Sequence, residues 1–240
     1  MNRTSEVPQL AYCSAGKGPL VIMLHGLLME GKSWQDNGFI SAFSPFFTVV
    51  CPDLIGHGES DKPAIQEWYT RDNQALAIVN LMDELGYEKA HIIGYSAGAW
   101  LATGLLALYP ERVESVILGG WDCIQGMPAS LSFEIFMAYA REIAPELTNS
   151  MSPVDEKSVE YFFNELKKQT KGDDKLLMQG IPALVWAGTR DPYYAPMAEL
   201  AEKHAIRLIS GQGDHLSEVN TPDGSTIGRI LRFIRDRSVV

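Results

Sequence analysis

Short apolar runs, separated by amphipathic stretches, constrain this chain more than any other feature. Leu20-Val21-Ile22-Met23-Leu24 has no polar position, so neither face of a strand built from it can meet water. Residues 47–51, 90–95, 113–118, 183–187 and 205–209 read the same way in large part, and residues 10–13 read as a short first strand. Strands apolar on both faces belong to a largely parallel sheet covered by helices on each side. The intervening segments supply those helices, at residues 33–43, 70–85 and directly after residue 96. In the second, Ala75, Ile78, Val79, Met82 and Leu85 share a face, Asn80, Asp83 and Glu84 lie opposite, and Gly86 marks the stop. A closing helix sets Ile227, Ile230, Leu231 and Ile234 against Arg229, Arg232 and Asp236. Alternating strands and helices predict an α/β class chain with a doubly wound, mostly parallel sheet. Its functional site is expected at the carboxyl ends of the strands.

One segment breaks the alternation. Residues 122–178 contain no strand-like run, only two amphipathic helical stretches near 132–147 and 155–168, rich in aromatics such as Phe133, Phe136, Tyr161 and Phe162. Because this segment follows the carboxyl end of one strand, it is expected to be a small helical cap inserted into a core formed by residues 1–121 and 179–240.

Composition narrows the partners. Thirty acidic against 20 basic residues give a net charge of -10, which speaks against a nucleic-acid partner. The three cysteines are Cys13, Cys51 and Cys123, far apart and odd in number, so neither a disulfide framework nor a thiolate zinc site is signalled. The polar start of the chain carries no signal-peptide core, and no apolar run approaches the ~18 residues of a membrane helix. A cytoplasmic protein with no membrane span and a small-molecule partner is expected; oligomeric state is left open.

Gly94-Tyr95-Ser96-Ala97-Gly98 lies between a buried strand and an apolar helix. A sharp strand-to-helix turn of this pattern exposes the serine hydroxyl at the sheet edge, and the glycines keep side chains out of the turn. A serine is a weak nucleophile unless a base takes its proton and a third group orients that base. Five histidines are available. His91 and His204 precede strands and fall at the wrong end of the sheet. His57 lies in the glycine-rich turn Gly56-His57-Gly58, and His25 beside Gly26 in a loop after a strand. His215 follows the last strand through Gly211-Gln212-Gly213-Asp214, at the correct end. For the acid, Asp191 follows the strand at 183–187, giving the chain order Ser96, Asp191, His215. Asp122, just past the strand at 113–118, stays open as the alternative acid. No His-Glu-x-x-His, phosphate-binding loop or dinucleotide fingerprint occurs, so no metal and no cofactor are expected.

With these motifs in register, the chain resembles the α/β-hydrolase fold family, a large group of esterases, lactonases, thioesterases and carbon–carbon bond hydrolases. His25-Gly26-Leu27 resembles its oxyanion loop. Pro52-Asp53-Leu54-Ile55-Gly56-His57-Gly58-Glu59-Ser60 resembles the turn after its next strand, and Gly188-x-x-Asp191 and Gly213-x-His215 follow. The resemblance spans nearly all of the chain outside the insertion. It departs in Leu28, where many relatives carry proline, and in the shortness of the insertion. It implies an oxyanion hole from the backbone N–H groups of Leu27 and Ala97, with His25 bonding the loop backbone. A serine at the elbow, rather than aspartate, argues against haloalkane dehalogenase and epoxide hydrolase chemistry.

The expected activity is hydrolysis of a small, hydrophobic carboxylic ester, lactone or thioester through an acyl-enzyme. The alternatives are carbon–carbon bond hydrolysis, acyl transfer or cofactor-free peroxidation on the same triad, or a low-turnover ligand-binding receptor. Leu28, Trp34, Tyr95, Trp121, Met127 and Leu216 are the residues expected to line a substrate pocket.

Overall fold

The computed structural model describes residues 1–168 and 172–238. Residues 169–171 of the expected insertion, and 239–240 of the expected core, lie outside the described residues. The strands are β1 (Asn2–Arg3), β2 (Ala11–Ala15), β3 (Leu20–Leu24), β4 (Thr48–Pro52), β5 (Ala90–Tyr95), β6 (Val113–Gly119), β7 (Ala183–Gly188) and β8 (Arg207–Gly211). They form one 8-stranded sheet in the order β1-β2-β4-β3-β5-β6-β7-β8. β2 pairs antiparallel with β1 and β4, and every other pairing is parallel. This is the α/β-hydrolase fold, and it puts the carboxyl ends of β3 to β8 along one edge.

Helices cover both faces. They are α1 (Ser33–Asp36), α2 (Phe39–Phe43), α3 (Arg71–Glu84), α4 (Ala97–Leu108), α5 (Phe133–Ile143), α6 (Pro145–Thr148), α7 (Pro153–Lys167), α8 (Tyr194–Lys203), α9 (Ser217–Asn220) and α10 (Gly224–Ser238). Alternate residues of each strand enter different cores, as a period of two requires. Leu20, Ile22 and Leu24 join the apolar cluster that holds Ala97, Trp100, Trp121 and residues of α3, α4 and α8. Val21 and Met23 join the opposite cluster with Trp34, Phe39, Tyr95, Trp186 and Ile230.

Two expectations shift. The helix expected at 33–43 is split into α1 and α2, because Gly38 takes φ 88°, a left-handed turn that no helix can run through. The last strand begins at Arg207 rather than 205, since Ala205 takes φ 52° and the Ile206 N–H bonds back to the Ala201 carbonyl to close α8.

Between β6 and β7 the chain is helical. Ser152 and Asp155 form a reciprocal capping box and Pro153 takes the first turn, so α7 starts sharply. Phe162 of α7 packs 5.3 Å from the His57 ring and 5.6 Å from Trp100. Phe133 and Phe136 of α5 then pack on Phe163 of α7, at 5.6 and 5.3 Å. Among the described residues no helix is long and apolar enough to cross a membrane.

Candidate active site

Ser96 stands between β5 and α4 with φ 54° and ψ −118°, a backbone that L residues other than glycine rarely adopt. Strain of this kind, of order 1–3 kcal/mol, persists only where the surroundings dictate it. Here the surroundings are backbone. A Cβ on Gly94 would overlap the Gly98 carbonyl, and a Cβ on Gly98 would overlap that of Leu24. The turn is therefore pressed against β3, and the Ser96 amide is tied to the Gly119 carbonyl at 2.8 Å. Ala97 is the first residue of α4, where backbone N–H groups have no partner within the helix.

The His25–Leu28 loop borders the same point, since a Cβ on Gly26 would lie 3.3 Å from Ser96 Cβ. The His25 ring holds this loop. Its Nδ1 faces the Gly26 carbonyl at 2.8 Å, and its Nε2 accepts from the Leu54 amide at 3.0 Å. Those roles fix the tautomer as neutral, and burial lowers its pKa from the ordinary imidazole value. Asp53 completes the brace: one carboxylate oxygen accepts from Gly31 N–H at 2.7 Å and the other from Glu59 N–H at 2.8 Å. Leu28 has φ 65°, which a proline ring could not adopt, so the departure from proline noted in the sequence belongs to a different local turn.

His215 lies on the loop after β8, half-buried. Its Nε2 is 3.1 Å from Ser96 Oγ, and its Nδ1 is 2.9 Å from Asp191 Oδ2. Ionised aspartate only accepts, so Nδ1 carries the proton and Nε2 is left to accept from the serine hydroxyl. Asp191 is buried and turns after β7; its second oxygen accepts from Tyr193 N–H at 2.9 Å. The imidazole sits between two phenol rings, Tyr95 at 5.3 Å and Tyr193 at 5.5 Å. Burial, then the carboxylates of Asp191 and Asp122, push the Tyr193 phenol up to about 12.

The structure thus brings Ser96, His215 and Asp191 into one hydrogen-bonded series. Asp122 is occupied elsewhere: its Oδ1 accepts from the Ile124 and Gln125 amides at 2.8 and 2.9 Å, an Asx turn that starts the segment after β6. The remaining histidines are accounted for as well. His91 Nδ1 meets Ser115 Oγ at 2.8 Å and His204 Nε2 meets Asp174 at 2.7 Å. His57 is buried edge-on to His25 at 5.1 Å, and its ring has the Ile55 backbone within reach.

The expected pocket residues divide. Trp121 is buried with its ring 5.9 Å from Tyr193, and Leu27 and Met127 pack on the same cluster as Ala97. Leu28 and Leu216 are half-buried. Trp34 and Tyr95 are corrections: both are buried in the opposite core, Trp34 against Phe39 at 5.0 Å and Tyr95 against Trp186 at 5.0 Å. The parity of β5 dictates this for Tyr95, because its neighbour along the strand faces the other way. Sequence reading missed Glu218, a buried carboxylate that accepts from Trp186 Nε1 at 2.7 Å and Gly213 N–H at 2.8 Å. Its only sequence signal was an acidic residue three positions past His215.

Comparison with known proteins agrees with this fold. Residues 19–134 match the family model described as alpha/beta hydrolase fold. Mouse Epoxide hydrolase 4 is 37% identical over 109 residues, 45% of this chain and 30% of that protein. A protein of Mycobacterium tuberculosis is 34% identical over 116 residues, 48% of this chain and 33% of that one. The matched region thus spans about a third of the length of these curated relatives. Among solved structures, a thermophilic esterase from Thermogutta terrifontis superposes with a TM-score of 0.80 at 20% identity, covering 100% of both chains. The enol-lactonase from Burkholderia xenovorans LB400 gives 0.76 at 21% identity, covering 95% of this chain and 96% of that one.

Proposed function

We infer that this chain, a member of the α/β-hydrolase fold family, is a serine hydrolase that cleaves a small, hydrophobic carboxylic ester, lactone or thioester. The observation that carries the reading is the unbroken series from Ser96 Oγ through His215 to Asp191, at 3.1 and 2.9 Å, on a strained elbow. Ser96 Oγ attacks the acyl carbon while its proton passes to His215 Nε2. Asp191 holds the imidazole and stabilises the cation that forms. Charge gathering on the carbonyl oxygen is met by the backbone N–H groups of Leu27 and Ala97; each such donor is worth roughly 10²–10³ in kcat. His215 then gives its proton to the departing oxygen or sulfur. Water, deprotonated by the same imidazole, attacks the acyl-enzyme, and the proton returns through His215 as Ser96 leaves.

A serine at the elbow supports hydrolysis through an acyl-enzyme over the epoxide chemistry named for the mouse relative. The helical segment between β6 and β7 is proposed as the cap that sets acyl choice. Phe162 supports that assignment, since it packs on His57, which in turn packs on the His25 loop. Apolar neighbours such as Trp121, Met127 and Leu27 favour a hydrophobic acyl group.

The test is turnover of a graded ester, lactone and thioester panel by wild type and Ser96→Ala. Loss of activity by a factor of about 10⁴ or more is expected for Ser96→Ala. Asp191→Asn should fall by about 10⁴ while Asp122→Asn keeps most of its rate. Equal rates for wild type and Ser96→Ala would sink the mechanism.

A further inference from the structure

Tyr95 stands one residue before Ser96, buried, with its side chain on the face of the sheet away from α4. Its hydroxyl donates to the His215 carbonyl at 2.8 Å and lies 3.3 Å from Asp191 Oδ2. A phenol has one proton to give, and the shorter contact takes it. The fold leaves deliberate room for this ring. A Cβ on Gly119 would overlap Tyr95 Cδ2. One on Gly120 would lie 2.8 Å from Tyr95 Cζ and 3.0 Å from His215 Cε1.

Apart from Asp191 on the imidazole, the other fixings of the His215 loop act on neighbouring residues. Glu218 accepts from Gly213 N–H at 2.8 Å, and Asp214 Oδ1 accepts from the Leu216 and Ser217 amides at 3.1 and 2.9 Å. Tyr95 acts on residue 215 itself. It also belongs to the strand that ends in Ser96, so one side chain links the main chain of the nucleophile to the main chain of the base.

We propose that Tyr95 is a positioning residue: its hydroxyl fixes the His215 backbone so that the imidazole, aligned by Asp191, meets Ser96 Oγ. The inference rests on the serine-hydrolase reading above and deepens it. Burial first, and then the Asp191 carboxylate, hold the phenol well above its ordinary pKa, so it stays a donor across the working pH range. Geometry of this kind matters steeply, because a displacement of about 1 Å between reacting groups can cost roughly 10² in rate.

Tyr95→Phe keeps the ring against Trp186 and deletes only the donor. The experiment measures phosphonylation of Ser96 by an alkyl fluorophosphonate, in which Ser96 Oγ bonds to phosphorus and fluoride leaves. Wild type, Tyr95→Phe, Ile117→Val and Ser96→Ala are compared, separating the saturation constant from the maximal rate constant. Ile117 is buried in the same core as Tyr95, so its truncation loosens that core without touching His215. The maximal rate constant of Tyr95→Phe is expected to fall about tenfold with its saturation constant unchanged, while Ile117→Val keeps the wild-type rate. The low-field proton resonance of the His215–Asp191 hydrogen bond should broaden in Tyr95→Phe and stay sharp in Ile117→Val. A wild-type rate and a sharp resonance in Tyr95→Phe overturn the proposal. Equal slowing of Ile117→Val does so too, since it reduces Tyr95 to core packing. A wild type that reacts no faster than Ser96→Ala overturns the underlying hydrolase reading instead.

Discussion

Ser96 and His215 face each other across 3.1 Å, yet side chains take a much larger part in holding the second than the first. The elbow is fixed by main chain pressed on main chain: Gly94 on Gly98, Gly98 on Leu24, and the Ser96 amide on the Gly119 carbonyl. The His215 loop has a main-chain tie at its base, Arg190 N–H to the Gly213 carbonyl at 3.0 Å, but residues 213 to 215 are held further by side chains, namely Glu218 on Gly213, Tyr95 on the His215 carbonyl and Asp191 on the imidazole. Steric contact between backbones has no soft direction, so the nucleophile's place tolerates almost no substitution nearby. Hydrogen bonds from side chains can be removed singly, and each removal loosens the base by a graded amount. One half of the site is cast, the other is guyed.

Three substitutions or conditions sharpen that contrast, beyond those already given for the triad and Tyr95. The largest effect is expected at the cast side. Gly98→Ala drives a methyl group into the Leu24 carbonyl, and overpacking of main chain should cost about 3 kcal/mol or more; the urea midpoint measures it. An unchanged midpoint would mean that the elbow is not held by this contact.

On the guyed side, Glu218→Ala leaves Trp186 Nε1 and Gly213 N–H without their acceptor. Unpaired buried donors cost about 1–3 kcal/mol each, so a loss of about 2 kcal/mol or more, together with slowed turnover, is expected from the same urea measurement and the ester panel. Glu218→Ala with wild-type stability and rate would remove the guy from the picture.

The third concerns acid. Beside the elbow lie His25 and His57, both buried; burial lowers His25, and burial first, then the repulsion two protonated rings would exert on each other, lowers His57 to about 3. The folded pKa lies below the unfolded one, so the unfolded chain binds the extra proton. The stability His57 contributes in this way is intact above pH ~6.5 and is lost as pH falls from there towards about 3, and His25 acts in the same direction. For each ring the slope approaches ~1.4 kcal/mol per pH unit. Urea titrations from pH 7 to 4 should show this fall, and His57→Phe should flatten it. Phenylalanine keeps an aromatic ring edge-on to His25 and Phe162 and removes the titrating nitrogens. An acid limb identical in His57→Phe and wild type would place the sensitivity elsewhere.

The cast half was also the legible half. Gly94 and Gly98 flank Ser96 within five residues, and the apolar runs on either side announce the buried strand and helix that make the turn sharp. A local steric rule leaves a local sequence signature. The guyed half left little, because Tyr95 meets His215 across 120 positions of sequence, and no local pattern records a partner at that distance. Strand parity was the one available clue that Tyr95 points away from α4, and it was outweighed by the residue's place inside the elbow. Trp34 went astray similarly, since a tryptophan after an expected loop reads equally as pocket wall or core. Glu218 resembled any acidic residue at a helix start until Trp186 and Gly213 appeared beside it. The break at Gly38 was written in the sequence but hidden by the apolar positions around it.

By itself, then, the sequence determined the order of elements, the parallel sheet and the candidates Ser96, His215 and Asp191, since all follow from apolar periodicity, glycine sterics and chain order. Which aspartate meets the imidazole, how Tyr95 and Glu218 hold the loop, and where Phe162 lies against His57 were decided only in three dimensions. Those contacts join separate elements, and their energies depend on distance and burial, which sequence spacing does not encode.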